Sequence, residues 1–141
     1  MPMHLVDHRP AFIVHSWKHV ALVLEAARQQ RRAVWLLSPV AASYSSGVGF
    51  WSAIQQRIGV LYPEVDVRLA VDCDDAAGHV LAALRVGLKF LVFRGNEAAR
   101  QRLADIAQQS GAALIEAPAD ALDLLPLARP QADILARLAA A

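Results

Sequence analysis

Five short apolar runs recur along the chain, each closed by a polar or turn-forming residue, with stretches of helical spacing between them. They are AFIVHS at 11–16, AVWLLS at 33–38, VRLAVDC at 67–73, KFLVFRG at 89–95 and AALIEAP at 112–118. Continuous apolar runs of this length suit strands buried on both faces of a parallel sheet. The intervening segments read as helices over 17–32, 48–61, 76–86, 96–110 and 131–140. The second carries a stripe of Phe50, Ile54, Ile58 and Leu61. The fourth opens on Asn96 as N-cap and stops before Gly111 as C′ glycine. ADALDLL, at 119–125, is expected to add a short turn of helix. The alternation predicts one α/β domain over 1–141. Its sheet would be open, mostly parallel and five-stranded, with helices on both faces, flavodoxin-like or Rossmann-like in the broad sense. Five strands are too few for an eight-stranded barrel.

Composition sharpens this at one point. The hydrophobic share is 56%, above the roughly 45–50% of an average domain. The first helix, through HVALVLEAA, is apolar around most of its circumference. A helix on one face of a sheet keeps a polar side. So either the C-terminal helix or a second subunit must cover it, and the second option predicts a homodimer. The net charge is +1, and the one basic cluster, Arg28, Arg31 and Arg32, ends the first helix, where cations oppose its dipole. No nucleic-acid partner is expected. A single cysteine permits no internal disulfide, the N-terminus lacks a signal-peptide pattern, and no apolar run reaches the ~20 residues of a membrane span. These features predict a cytoplasmic protein with no membrane partner.

Ligands of open parallel sheets bind outside the carboxyl ends of the strands. Those ends carry His15, Ser38, Asp72, Cys73, Asp74, Arg94 and Gly95, and the long segment SPVAASYSSGVGFW follows Ser38. Ser43, Ser45 and Ser46 offer hydroxyls there, Gly47 and Gly49 a helix start open to an anion, and Trp51 an aromatic lid over a site. The segment has no Lys or Arg and lacks P-loop spacing. Its plainer reading is a turn with serine as N-cap. Asp72 is the candidate acid or base, with His15 assisting. Cys73 is a nucleophile only beside an activating base, and otherwise a small core residue. Asp74 and Asp75 read as ligand groups or as caps of the next helix. Arg94 suits a carboxylate or phosphate, or a salt bridge to a nearby aspartate. His4–His8 and His15–His19 have metal-like spacing but no shared helix face, so no metal site is expected. No cofactor is specified.

The segments LLSP…GFW, VDCDDAAGHVLAALRVGLKFLVF and EAAR resemble a group of small uncharacterised bacterial α/β proteins over about 35–111. That group shares an L/V-D-C-x-D-A-x-G-x-x-L-x-A-L-R-x-G block. The resemblance implies no activity. Locally, 75–93 is similar to a βα unit of barrel aldolases, but Lys89 opens its strand rather than ending it, so no catalytic residue is implied. The function these features predict is a homo-oligomeric binding or regulatory protein with a small-molecule pocket at the strand ends, taking a small anion. The alternative is an enzyme acting on a small carbonyl or phosphate-bearing metabolite, lyase-, aldolase- or hydrolase-like.

Overall fold

The computed structural model describes residues 8–140. The chain runs β1 (Ala11–Ile13), α1 (Trp17–Gln30), β2 (Val34–Leu37), α2 (Ala42–Ser45), α3 (Val48–Leu61), β3 (Val67–Asp72), α4 (Ala77–Arg85), β4 (Phe90–Val92), α5 (Glu97–Gln109), β5 (Ala113–Leu114), β6 (Leu122–Asp123) and α6 (Pro130–Ala139). Local chemistry sets the helix ends. Ser16 Oγ accepts the His19 N–H at the start of α1, and Asn96 Oδ1 accepts the Ala99 N–H at the start of α5. Gly111, at φ +72°, ends α5 as its spacing predicted.

The strands form one parallel sheet in the order β5-β4-β3-β2-β1-β6. An open parallel α/β sheet was the expectation. It has six strands rather than five, because ADALDLL contributes β6 instead of a turn of helix. Leu122 and Asp123 pair with Phe12 and Ile13, filling the free edge of β1. Backbone groups left open on that edge outweigh a weak local helical preference.

The helices also differ from the expectation of two covered faces. From β1 to β5 each crossover steps to the next strand in the same direction. Right-handed crossovers that never reverse direction put every helix on one face. The core shows this. Val20 and Leu24 of α1, Trp51 and Ile54 of α3, Val80 of α4, Leu103 of α5 and Ile134 of α6 pack with Phe12, Leu36, Val71 and Leu91 of the strands. The alternate strand residues, Ala11, Trp35, Leu37, Ala70 and Val92, form a second cluster with no helical member.

That second face is nevertheless buried. Residues 115–121 join β5 at one sheet edge to β6 at the other, and Ala117 and Ala121 pack on the second cluster. Five strand spacings of about 4.8 Å separate the two edges, ~24 Å along a flat sheet. The chain from Leu114 to Leu122 reaches at most ~28 Å when extended. The segment is therefore a strap with little slack across the face. Beneath it, Trp35 and Phe90 meet edge to face at 5.1 Å, with the Arg68 guanidinium over both rings.

The apolar circumference of α1 is covered by α6. Ile134 and Leu138 are buried against the helical core, and the Arg32 side chain donates to the Leu138 carbonyl. Burying two such side chains stabilises the contact by about 1.5–3 kcal/mol each. Of the two coverings expected for α1, the internal one is present.

A Cβ on Gly95 would lie 2.2 Å from Phe93 Cζ, and the Phe93 ring is itself buried. Gly49, near the start of α3, faces open space. Gly95→Ala is expected to destabilise the fold by about 1–3 kcal/mol. Gly49→Ala should be neutral or stabilising by up to about 1 kcal/mol. Urea unfolding of the two variants checks the contrast; equal midpoints would contradict it.

Candidate functional site

Three adjacent strand ends meet at the carboxylate of Asp72. Asp72 closes β3 and is 4% exposed. Its Oδ1 accepts the N–H of Ala41, after β2, at 3.1 Å and the N–H of Asp74 at 2.8 Å. Its Oδ2 accepts from Arg94, after β4, through Nε at 3.1 Å and Nη2 at 2.7 Å. The Asp72 N–H donates to Ser38 Oγ at 2.8 Å, and that hydroxyl donates to the Pro39 carbonyl. Each carboxylate oxygen accepts two bonds, so Asp72 organises the rim.

The two backbone donors are held in an uncommon conformation. Ala41 lies at φ +59° and Asp74 at φ +50°. The left-handed region costs an alanine roughly 1–2 kcal/mol. The Asp72 carboxylate offsets this by accepting both N–H groups. Asp74 is held from its other side too, since its carbonyl accepts the Arg94 N–H at 2.6 Å.

Beside this network lies a cavity of about 280 Å³. Leu37, Ala70 and Val92 give it an apolar floor, and Ala117 and Pro118 of the strap a wall. Ser38, Asp72 and Arg94 form its polar side. The Arg94 side chain is 44% exposed, and its Nη1 has no partner among the described residues. A larger groove of about 540 Å³ runs between α1 and α6 beside Tyr62, but it holds none of the strand-end residues.

The segment after Ser38 does not face this cavity beyond Val40. Ser43 is buried, and its Oγ lies 2.9 Å from His79 Nδ1 on α4. The Tyr44 ring sits 4.4 Å from the His79 ring, and its hydroxyl donates to Asp75. These contacts pin α2 to the start of α4. Gly47, at φ +86°, turns the chain from α2 into α3, and its N–H donates to the Ala42 carbonyl. Ser45 and Ser46 are exposed, as is Gly49. Trp51 is buried in the helical core, so it closes over no strand-end site. Neither a serine nor an aspartate side chain caps α3 or α4, whose N-cap residues are Gly47 and Ala76. Cys73 joins the helical core, where burial pushes its thiol up to about 11, against a smaller opposing effect of the Ser43 hydroxyl. A neutral buried thiol is no nucleophile.

His15 belongs to a separate pair on the same rim. Its Nε2 lies 2.7 Å from Asp123 Oδ1, at the end of β6, and its N–H donates to His19 Nδ1 at 3.1 Å. Burial, then the neighbouring His15, push the His19 imidazole down, and the bond from the His15 backbone N–H makes Nδ1 the acceptor. Burial pushes the Asp123 carboxyl up, but the Leu125 N–H and the His15 ring together hold it below its ordinary value. Among the described residues no three His, Cys, Asp or Glu side chains converge as a metal site requires. His4 lies outside the described residues.

Of the residues singled out in the sequence, Ser38, Asp72, Asp74 and Arg94 meet in one network, and His15 lies apart from it. Sequence reasoning missed Ala41, the strap and Asp123. No family model matches the chain, and no curated protein is similar to it.

The depressed Asp123 carboxyl carries a pH dependence. A group whose folded value is lowered adds stability above its unfolded value, and that stability is lost as pH falls through the folded value. Asp123→Asn should lower the melting temperature at pH 7, by less than the equivalent of about 1 kcal/mol because the pair is partly exposed. The gap to the parent should narrow as pH falls below the ordinary aspartate value of about 3.9 and go on closing through the lower folded value. A gap that stays unchanged from pH 7 down to the acid unfolding limit would contradict this account.

Proposed function

We propose that this chain is a cytoplasmic binding or regulatory domain that holds a small anionic molecule over the carboxyl ends of its strands. The observation that carries the reading is the cavity itself. An apolar floor is joined to one guanidinium, and a buried carboxylate fixes that guanidinium in place. Ligand pockets combine such walls with a few placed polar groups. Among the described residues no helix is long and apolar enough to cross a membrane. The resemblance to small bacterial α/β proteins belongs to the same proposal and adds no activity to it.

A thermal-shift screen of small metabolite anions tests the reading. A specific ligand at 100 times its Kd adds about 2.7 kcal/mol of stability. Ala117→Phe, which fills the cavity from the strap, should abolish the shift while the apo protein still unfolds cooperatively. A shift that survives this substitution places the ligand elsewhere.

Self-association is the second half of the proposal. It rests on the apolar composition and on Val60, Leu61 and Leu135, which remain exposed on the helices. Sedimentation at micromolar concentration should show a species of twice 15.3 kDa. A 15.3 kDa species alone removes the dimer and leaves the cavity reading standing.

A further inference from the structure

We infer that the cavity selects a carboxylate on a compact apolar body, rather than a phosphate ester or a neutral molecule. This rests on the reading of the cavity as a binding site. Its volume, about 280 Å³, lies at the lower limit of the roughly 300–1,000 Å³ of ligand pockets, too small for a nucleotide. Leu37, Ala70, Val92 and Pro118 offer only apolar contact.

The hydrogen-bond donors at the cavity decide the head group. A phosphate needs several converging donors, supplied in most proteins by successive backbone N–H groups. Here the Ala41 and Asp74 N–H groups are aimed together, but the protein's own Asp72 carboxylate already occupies them. The glycine turn at Gly47 is not in the lining. The Ser38 hydroxyl is engaged on both sides. Among the side chains of the lining, what remains is Arg94, its one cationic side chain among the described residues. Asp72 takes its Nε–H and one N–H of Nη2, which leaves the edge formed by Nη1 and the second Nη2 proton. That edge is planar and presents two parallel donors, which match both oxygens of a carboxylate; a phosphate can use the same edge, but its third oxygen and second charge then meet no further cationic side chain of the lining. The Asp72–Arg94 pair is neutral as a unit, so a dianion also meets more uncompensated charge there than a monoanion.

Three probes with the same branched body separate the possibilities: isovalerate, isovaleramide and isoamyl phosphate. Each is titrated into the ¹⁵N-labelled full chain and followed at the amide signals of Ala70, Val92 and Ala117 and at Arg94 Nε. Isovalerate should shift these signals saturably. Isovaleramide, which loses the anionic bidentate acceptor, and isoamyl phosphate, whose second charge finds no second cation in the lining, should each bind at least about tenfold more weakly. Arg94→Lys should weaken isovalerate by about tenfold and leave isovaleramide within about twofold, because a lysine presents no fork. If the amide or the phosphate binds as well as isovalerate, the carboxylate inference fails while the cavity reading survives. If none of the three perturbs these signals at millimolar concentration, both fail. The comparison of probes on the parent protein needs no variant, so the test holds even where Arg94→Lys does not fold.

Discussion

The buried carboxylate of Asp72 is the constraint on which the strand-end rim depends. It joins three neighbouring chain segments: the turn after β2 through Ala41, its own turn through Asp74, and the segment after β4 through Arg94. Removing Arg94 would leave a buried carboxylate without its counter-ion, at a cost below the roughly 3–5 kcal/mol of a fully buried pair because solvent screens the half-exposed guanidinium. Asp72 also holds two non-glycine residues in the left-handed region, a conformation that persists only where surroundings over-determine it. The same bonds fix the orientation of the Arg94 guanidinium, which lines the cavity. Positioning of the guanidinium and closure of the turns are one event.

The architecture explains why the cavity lies where it does. A doubly wound sheet opens a crevice where the strand order reverses. This sheet is wound in one direction from β1 to β5, so no crevice opens along that run, and its helices leave one face bare; the order turns only at β1, where β6 joins on the other side. The strap fills that bare face with small side chains, Ala117 and Ala121, packed on the second cluster. Small side chains there leave room at the carboxyl end of the floor, where Leu37, Ala70 and Val92 meet the polar rim.

The long elements were legible because their patterns are long. The helices over 17–32 and 96–110 carry both periodicity and end signals, and the observed α1 and α5 lie within them. The pair Leu122–Asp123 has no period to read, and its pairing with β1 depends on an edge more than a hundred residues away. Helix placement was hidden for a different reason: it follows from strand order, which no local pattern encodes. At the site, Asp72 and Arg94 were visible as polar residues ending apolar runs. Ala41 was not, since an alanine at positive φ leaves no compositional trace. Serines and glycines drew attention to 43–49, yet those residues tie α2 to α4 and turn the chain into α3.

The placement of β6 has a consequence for how the molecule is assembled. Strands β1 to β5 each add beside their predecessor, so the sheet grows in the order in which the chain is made. His15 and Asp123, which meet across the last pairing, are 108 residues apart. The strap and the second partner of β1 thus come last in the chain, after the residues of the floor and the guanidinium. The floor belongs to the consecutive strands and the wall to the returning segment, so possession of a cavity depends on a pairing made across more than a hundred residues.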